Sequence, residues 1–361
     1  MNEHEYFMNK AFDLSLKAKG LTSPNPMVGC LIVNSEKEII GSGYHSYAGG
    51  PHAEVVAYKE ALKKTNNFFD CTLYTTLEPC CHKNKKTPPC TELIKKFPVK
   101  KVYISNLDPN PHVNGRGINA LNDIGIKTEL GILEDVGEKI NEVFFLNQRK
   151  GRPFIHLKVA ISLDGKICLN SGESKWISSR DSREMVHNLR FENDAVLVGG
   201  NTLRADNPNL GIRIGKFSTK NKQNKKIIVA NPYNINFSDF SIFSDFENLI
   251  LFSTVKKIKP VNSSFKILFP QNEFNWDECL RKIYSEEGIT SILVEGGALV
   301  SSSLLQSRLV DKVTIFQAPI ILGKGKGFTD FLEINSMKEK FQLKNVFTSK
   351  IGEDHMIQGY L

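Results

Sequence analysis

The chain has 361 residues, more than a single hydrophobic core usually organises, so the sequence predicts two domains. Hydrophobic residues make up 40% and charged residues 24%, a globular composition that excludes wholesale disorder. The N-terminal twenty residues lack the apolar run of a secretory signal, and no apolar stretch approaches the roughly 18 residues needed to cross a bilayer. We therefore expect a cytoplasmic protein without a membrane partner.

Net charge and cysteine content indicate the type of partner. The formal charge is +8, but the lysines are scattered, with short runs at 83–86 and 220–226. A nucleic-acid footprint requires a clustered basic face, so this modest excess does not predict nucleic-acid binding. Seven cysteines, an odd number without a visible signal peptide, predict reduced thiols, and a cysteine cluster is expected to bind metal rather than form a disulfide.

The first 150 residues alternate helical and strand patterns, which predicts a layered α/β sheet. After the Pro-Asn-Pro turn, two apolar strands are expected to pair as a hairpin. In chain order the predicted elements are a helix over 3–19, strands over 27–33 and 39–44, the helix "HAEVVAYKEALKK", the strand "CTLYTT", the helix "CTELIKKF", the strand "KVYIS", a helix, glycine and strand in "GINALNDIGIKTELGIL", and a helix over 133–145.

A domain boundary is predicted at "NQRKGRP", residues 147–153, a polar and basic segment with Gly and Pro. We therefore divide the chain into domains 1–149 and 150–361. Short apolar runs follow, which is typical of strands buried on both faces in an α/β domain. They are residues 154–160, "DAVLVGG", "KIIVA", "NLILFS", "FKILF", "SILVEGG" and "KVTIFQAPI", while 218–226 is predicted to be a polar loop.

The stretch "PHAEVVAY" places His52 and Glu54 at the start of a helix. Residues i and i+2 do not share a face of a regular helix, so the two side chains can converge only from an irregular first turn. The helix macrodipole also favours an anion at that end. A site that uses both residues is therefore expected at this helix start.

Downstream, "EPCCHKNKKTPPC" is rich in proline and is predicted to form a shaped loop. His52, Cys80 and Cys90 make a one-nitrogen, two-sulfur set suited to tetrahedral zinc with a fourth position for water. Glu54 is the candidate proton carrier beside that water. Cys81 and His82 are rival ligands, although neighbours in an extended segment point to opposite sides. Structural zinc, or no metal, is the alternative interpretation.

The order H-x-E followed by P-C and a later Cys resembles the zinc-dependent cytidine-deaminase superfamily, in which the Glu is the general acid/base. Nine residues separate Cys80 from Cys90, where two are usual in that superfamily. The "LEPC…TPPC" loop is instead similar to the riboflavin-pathway branch. Cys30 and Cys71 lie in strand-like apolar runs and are expected in the core.

The C-terminal half resembles the reductase part of the bifunctional riboflavin-biosynthesis deaminase/reductase family, which has a dihydrofolate-reductase-like α/β fold. The matching segments are "KVAISLDGKI", "SGESKWISS", "HNLRFENDAVLVGGNTLRADNPNLGIR" and "ILVEGGALV". The resemblance implies that NADPH binds at Ala160, Trp176, Thr202, Asp206, Gly297, Ala298, Leu299, Val300, Ser301, Ser302 and Ser303. It also implies substrate contacts at Ser174, Arg190, Leu210, Arg213 and Glu295.

Physical chemistry allows these roles without requiring them. "ILVEGG" predicts a buried strand that ends in Gly-Gly at a helix start, where backbone N–H groups can approach a phosphate, although a tight turn is the alternative. Arg190 and Arg213 can bind a phosphate through charge-assisted hydrogen bonds, or form ordinary ion pairs. Lys158 lies on the same strand face as Ala160 and is a further candidate for substrate contact.

The resemblance, together with the candidate zinc ligands, implies a bifunctional enzyme that uses Zn²⁺ and NADPH. The expected substrate is a diaminopyrimidine ribosylamine 5′-phosphate, which is deaminated and then reduced at its ribosyl side chain to ribityl. A homo-oligomer is compatible with this expectation, and nucleic acid is not an expected partner. The alternatives are a nucleoside or nucleic-acid deaminase with an accessory binding domain, and a non-catalytic scaffold stabilised by zinc.

Overall fold

The computed structural model describes residues 1–81, 88–213, 222–261 and 263–361. It divides into two compact units, Met1–Gly151 and Arg152–Leu361. Across the described residues, every helix is too short or too polar to span a bilayer. The candidate ligand His82, the lysine run at 83–86 and part of the predicted polar loop at 218–226 lie outside the described residues.

The first unit is an α/β unit whose sheet has the strand order β2-β1-β3-β4-β5 among the described residues. β1 pairs antiparallel with β2 and β3, whereas β3, β4 and β5 are parallel. Its elements are α1 (Glu3–Leu16), β1 (Gly29–Val33), β2 (Ile39–Tyr44), α2 (Ala53–Ala61), β3 (Thr72–Leu77), α3 (Cys90–Lys96), β4 (Lys101–Asn106), α4 (Arg116–Asn122), β5 (Lys127–Leu130), α5 (Glu134–Ile140) and α6 (Glu142–Lys150).

Glycines in β2 bring that strand close to α2. A Cβ atom on Gly41 would lie 2.3 Å from the carbonyl oxygen of Ala57, and one on Gly43 would lie 2.4 Å from that of Ala53. Only glycine allows the two backbones to approach this closely. The approach holds the N-terminal end of α2 against the sheet, and this is the end of the helix that carries His52 and Glu54.

The prediction of a single helix over 133–145 was wrong. The structure has two helices there, α5 and α6, separated at Asn141, whose backbone is not helical. The Asn141 side chain accepts a hydrogen bond from the Met27 N–H at 2.8 Å and donates one to the Met27 carbonyl at 3.0 Å. The Asn141 side chain therefore bonds to the backbone of a distant loop through both its oxygen and its nitrogen. These hydrogen bonds hold Asn141 in a non-helical conformation and interrupt the helix.

The second unit is also an α/β unit, with additional 3₁₀ turns at Pro232–Asn234, Phe237–Asp239, Ser241–Ser244, Phe246–Asn248 and Met337–Glu339. Its helices are α7 (Arg180–Glu192), α8 (Gly200–Asp206), α9 (Trp276–Glu287) and α10 (Ala298–Gln306). Its strands are β6 (Phe154–Ile161), β7 (Lys166–Leu169), β8 (Ala195–Gly199), β9 (Lys225–Ala230), β10 (Leu249–Ser253), β11 (Lys266–Leu268), β12 (Ser291–Val294), β13 (Lys312–Gln317), β14 (Gly325–Gly327), β15 (Lys344–Ile351) and β16 (Asp354–Tyr360).

The main sheet of this unit has the order β11-β10-β9-β8-β12-β6-β13-β16-β15 among the described residues. The strands from β11 to β13 run parallel, and β16 and β15 continue the sheet antiparallel. β8, β10 and β12 are fully buried, as their continuous apolar sequences predict. The carboxyl ends of these parallel strands therefore lie at one edge, where α/β sheets commonly bind ligands.

The second unit begins with a buried ion pair. Arg152 donates two hydrogen bonds of 2.7 Å to the carboxylate of Asp311, which also accepts one from the backbone of Ile155. This pairing fixes the start of β6 beside β13. The predicted linker at 147–153 is shorter in the structure, because α6 continues to Lys150 and ends at Gly151 in the left-handed conformation.

Candidate active sites

A histidine and two cysteines converge in the first unit. The Nδ1 atom of His52 lies 3.2 Å from the Sγ atom of Cys90 and 3.6 Å from that of Cys80. One ligand atom from each of the three residues lies within 4.8 Å of the others. His52 is the N-cap of α2, Cys80 follows β3, and Cys90 is the first residue of α3. These elements bring together residues that are distant in the sequence.

The three side chains fit a zinc ion. With Zn–S and Zn–N bonds of about 2.3 and 2.1 Å, tetrahedral ligands lie roughly 3.5–3.8 Å apart. The His52 distances to the two sulfur atoms are near this range, and the set combines one imidazole with two thiols. Three protein ligands leave a fourth tetrahedral position for water or substrate, as a catalytic rather than a closed structural site requires.

Glu54 lies in the first turn of α2 and is only 3% exposed. Burial raises the pKa of its carboxyl group, and the side chain interacts with Cys80, His52 and Cys90. The hydrogen bond between the two thiols lowers the pKa of Cys80 and raises that of Cys90. His52 adopts an extended backbone outside the helix, so the i, i+2 pair converges through the irregular helix start.

The sequence did not single out His45, which is 4% exposed and has its ring 5.8 Å from that of His52. Its Nδ1 lies 3.0 Å from the Pro51 carbonyl, which can only accept, so Nδ1 donates. The Asn25 amide then donates to Nε2 at 3.1 Å. Burial lowers the pKa of His45. A single histidine just after a strand forms no sequence motif, so the sequence alone could not have identified it.

The rival ligand Cys81 does not belong to this group. It is half-buried, and its Sγ lies 3.9 Å from the backbone carbonyl of His112. Cys30 and Cys71 are buried in the apolar core of the first unit. Within the described residues, the group of His52, Cys80 and Cys90 is the one that could hold a metal ion.

The second unit contains a cavity of about 1660 Å³. It gathers the predicted residues Lys158, Ala160, Ser174, Trp176, Arg190, Thr202, Asp206, Leu210, Arg213, Glu295, Gly297, Ala298, Leu299, Val300 and Ser303. Ser301 and Ser302 of the predicted set do not line it. Both are buried in α10, and Ser302 accepts a hydrogen bond from the Phe331 N–H. They face away from the cavity because successive residues of a helix point in different directions.

Glycine pairs form one wall of this cavity. Gly199 is the last residue of β8 and Gly200 is the first residue of α8, whereas Gly296 and Gly297 lie between the neighbouring parallel strand β12 and α10. A Cβ atom on Gly199 or Gly296 would lie 2.8 Å from the Val300 side chain. Thr202 Oγ1 accepts a hydrogen bond from Gly297 N–H at 3.1 Å. Such helix starts expose backbone N–H groups to a phosphate.

Charged side chains also meet in this cavity. Arg190 donates to both carboxylate oxygens of Glu295, at 2.6 and 3.0 Å, and to the Gly211 carbonyl at 2.9 Å. Lys158 Nζ lies 3.7 Å from Glu295. Burial would raise the pKa of Glu295, but Arg190 and Lys158 lower it to about 2, whereas burial lowers the pKa of Lys158. A carboxylate is therefore held between two cations.

His187 is a second residue that the sequence did not single out. It lines the cavity one helical turn before Arg190, and its Nδ1 accepts a hydrogen bond of 3.1 Å from the Arg213 N–H. Burial and the two arginines lower its pKa to about 4, which keeps Nδ1 available as an acceptor at neutral pH. His187 thereby fixes the backbone position of Arg213 relative to α7.

Two protein families match the chain, one in each of its two units. Residues 1–106 match the family described as the cytidine and deoxycytidylate deaminase zinc-binding region, and residues 153–357 match the RibD C-terminal domain. Together with the folds and the two sites, these matches define an enzyme that joins a cytidine-deaminase-like unit to a dihydrofolate-reductase-like unit.

Full-length relatives carry both halves. The riboflavin biosynthesis protein RibD of Aquifex aeolicus is 38% identical over 97% of this chain and 96% of its own length. That of Escherichia coli is 32% identical over 98% of both chains. Among solved structures, Acinetobacter baumannii RibD has a TM-score of 0.88 at 32% identity and covers 99% of this chain and 98% of its own.

A further structure with a TM-score of 0.88, at 34% identity over 99% of this chain and 98% of its own, is the diaminohydroxyphosphoribosylaminopyrimidine deaminase/5-amino-6-(5-phosphoribosylamino)uracil reductase of Thermotoga maritima. The chain belongs to the RibD family. It is a bifunctional enzyme of riboflavin biosynthesis, with a zinc-binding deaminase half and an NADPH-dependent reductase half that act on a small-molecule substrate.

Proposed function

We propose that this enzyme deaminates 2,5-diamino-6-(5-phosphoribosylamino)pyrimidin-4-one and then reduces the ribosyl side chain of the product to ribityl. The observation that carries the first step is the convergence of His52, Cys80 and Cys90 beside the buried carboxylate of Glu54. The deaminase role belongs to residues 1–149 and the reductase role to residues 150–361.

His52, Cys80 and Cys90 are proposed to hold the zinc ion. When bound, zinc lowers the pKa of a coordinated water, so that a nucleophile is available near neutral pH. Glu54 accepts a proton at its carboxylate and donates it to the amino group that departs from the pyrimidine ring. Its burial excludes bulk water from this proton transfer. The Pro51–His45–Asn25 hydrogen bonds hold the chain that leads into α2.

In the second unit, NADPH supplies hydride when bound, and the protein positions it against the sugar. The proposed NADPH site comprises Ala160, Trp176, Thr202, Asp206 and residues 297–303. The starts of α8 and α10 offer backbone N–H groups to its phosphates, other than the Gly297 N–H, which donates to Thr202 Oγ1. Ser301 and Ser302 belong to this range, but both are buried and neither lines the cavity.

The proposed substrate contacts of the reductase are Lys158, Ser174, Arg190, Leu210, Arg213 and Glu295. Arg190 uses three N–H groups on Glu295 and Gly211, which leaves two of its five donors for a phosphorylated ligand. Arg213 is exposed at the rim and can add a second cation. Glu295 then offers carboxylate oxygens to the pyrimidine while it holds both cations of its cluster in place.

The partner of the whole enzyme is accordingly a small phosphorylated pyrimidine rather than nucleic acid. A shared anionic substrate accounts for the basic balance of the chain. All seven cysteines are free thiols, which supports a reducing, cytoplasmic location. A homo-oligomer is compatible with both proposed activities.

The test uses purified protein and the diaminopyrimidine substrate, with and without NADPH. Ammonia release and nicotinamide absorbance are followed separately. We expect ammonia release without NADPH, and NADPH oxidation only after deamination has occurred. Absence of both signals from protein that contains zinc would contradict the proposed function.

Glu54→Gln is the decisive variant for the first step, because the amide cannot accept and return the proton. We expect deamination to fall by at least about a hundredfold, in the range for loss of a general acid/base, while zinc content stays unchanged. NADPH-dependent reduction of the supplied deaminated intermediate should also stay unchanged. Glu36→Gln, in the exposed turn between β1 and β2, is the matched control. A Glu54→Gln enzyme with wild-type deamination would support the scaffold alternative.

A further inference from the structure

Glu78 is a buried carboxylate two residues before the ligand candidate Cys80, and the sequence analysis gave it no role. It is 3% exposed. Its Oε2 accepts hydrogen bonds from the backbone N–H groups of Asp108 and Gly115, at 3.3 and 3.0 Å. Its Oε1 accepts from those of Gly117 and Ile118, at 2.8 and 3.2 Å. Each carboxylate oxygen therefore has two donors, all from the segment 107–118.

The segment 107–118 connects β4 to the first turn of α4. Because β3 and β4 are parallel neighbours, this segment and the chain that leads to Cys80 leave the sheet at the same edge. The two are in contact, since Cys81 Sγ lies 3.9 Å from the His112 carbonyl. A Cβ atom on Gly117 would lie 2.2 Å from the Pro79 carbonyl. The segment thus borders the residues that carry the metal ligands.

Within the part of the chain that the structure describes, the other hydrogen bonds of this segment are mostly local. The Asp108 carboxylate accepts from the Asn110 N–H, and the Asn110 side chain accepts from the His112 N–H. Such turns shape the backbone but do not attach it to β3. The Glu78 carboxylate provides that attachment, because it lies at the end of β3 and binds both the beginning and the end of the segment.

We propose that Glu78 is a positioning residue of the deaminase site, whose carboxylate holds the segment 107–118 against the Cys80 region as one wall of the pyrimidine pocket. The proposal rests on the proposed deaminase function. Glutamine in its place has one acceptor oxygen, and its amide nitrogen would face two backbone N–H donors. Two of the four hydrogen bonds would be lost, and the segment would move away from the site.

The test is Glu78→Gln in the full-length zinc-loaded enzyme, with Glu36→Gln in the exposed β1–β2 turn as the matched control. We expect amide hydrogen exchange in peptides that cover 108–118 to become at least about tenfold faster, as buried donors lose their acceptors. KM for the diaminopyrimidine substrate should rise about tenfold, by more than kcat falls. Zinc content and reduction of the deaminated intermediate should stay as in the wild type.

Gly117→Ala is a second variant that keeps the carboxylate but places a methyl group against the Pro79 carbonyl. It should give the same combination of faster exchange and higher KM, whereas Asn119→Ala on the exposed side of α4 should not. This variant tests the proposal even where Glu78→Gln fails to fold.

Three results would overturn the inference. They are wild-type exchange and KM in both variants, loss of zinc with unchanged exchange, and a fall in kcat alone. The second would assign Glu78 to the metal ligands, and the third would assign it to the chemistry. A wild-type enzyme that releases no ammonia would contradict the proposed function instead, while the exchange measurement would still test the attachment of the segment.

Discussion

At the level of single residues, the second unit depends on how Glu295 is surrounded. Its side chain is about nine-tenths buried between Arg190 and Lys158, which are similarly buried. Removing one member of a buried charged group leaves the others without compensation, which costs more than the group itself contributes. The cluster therefore serves both the stability of the unit and the orientation of the proposed substrate contacts.

Glu295→Gln should destabilise the second unit by about 3 kcal/mol at pH 7, because two buried cations lose their counter-charge. Both tryptophans of the chain, Trp176 and Trp276, lie in this unit, so urea unfolding followed by tryptophan fluorescence reports on it. Glu286→Gln, which removes an exposed partner of Lys266, is the control and should change little.

The difference in unfolding free energy between the wild type and Glu295→Gln should depend on pH. The pKa of Glu295 is about 2 in the folded protein, below its ordinary value of 4.5, so its charge stabilises the fold fully above pH 4.5. That contribution is lost as the pH falls from 4.5 toward 2. The stability difference between wild type and Glu295→Gln should therefore narrow over this range. A difference that stays constant with pH would contradict the ion-pair explanation.

At the level of elements, the metal ligands depend on packing between β2 and α2. β2 contributes Gly41 and Gly43 where α2 crosses it, and the start of that helix carries His52 and Glu54. The helix is short, so its position is set by this contact more than by its intrinsic helical propensity.

Gly43→Ala should weaken zinc binding without altering any ligand. The added Cβ would lie 2.4 Å from the Ala53 carbonyl and 2.5 Å from the Ala57 nitrogen, so α2 must shift. Overpacking of this kind costs about 2 kcal/mol, and we expect zinc affinity to fall about tenfold or more in a titration against a competing chelator. Ser35→Ala in the turn of the same hairpin is the control. Wild-type zinc affinity in Gly43→Ala would show that β2 does not position the ligands.

At the level of the whole molecule, the chain is two units with separate cores. Apolar side chains of the first unit gather on the two sides of its sheet, and those of the second unit do the same around the larger sheet. A unit with its own core is expected to fold by itself. The metal site lies wholly in the first unit and the large cavity in the second.

Expressed separately, residues 1–151 and 152–361 should each unfold cooperatively. Zinc that binds only the folded state stabilises it, so a chelator should lower the unfolding midpoint of 1–151 measured by circular dichroism. The midpoint of 152–361, measured by tryptophan fluorescence, should not change. The same chelator saturated with zinc is the control. An unfolded fragment, or a chelator effect on 152–361, would contradict this division of the molecule.

The sequence by itself determined the secondary structure of most of the sheet and the order of the candidate ligands. The strands β8, β10 and β12 were predicted from their apolar runs, because a strand that is buried on both faces has a continuous apolar sequence. His52, Glu54, Cys80 and Cys90 were predicted from residue type, spacing and the family resemblance, and the structure brings His52, Cys80 and Cys90 together. Local pattern was sufficient for the strands, whereas the ligand candidates also required the family resemblance, because His52, Cys80 and Cys90 meet only in the folded chain.

The tertiary structure alone decided features that depend on distant residues. The break at Asn141 arises from a pairing with Met27 across 114 positions, which no local period encodes. Glu78 and His187 acquire their roles from backbone N–H groups that other segments supply. A buried polar group needs a hydrogen-bond partner, and only the folded chain determines which one it has. Sequence patterns therefore specified the elements, while long-range hydrogen bonds specified how the sites are held.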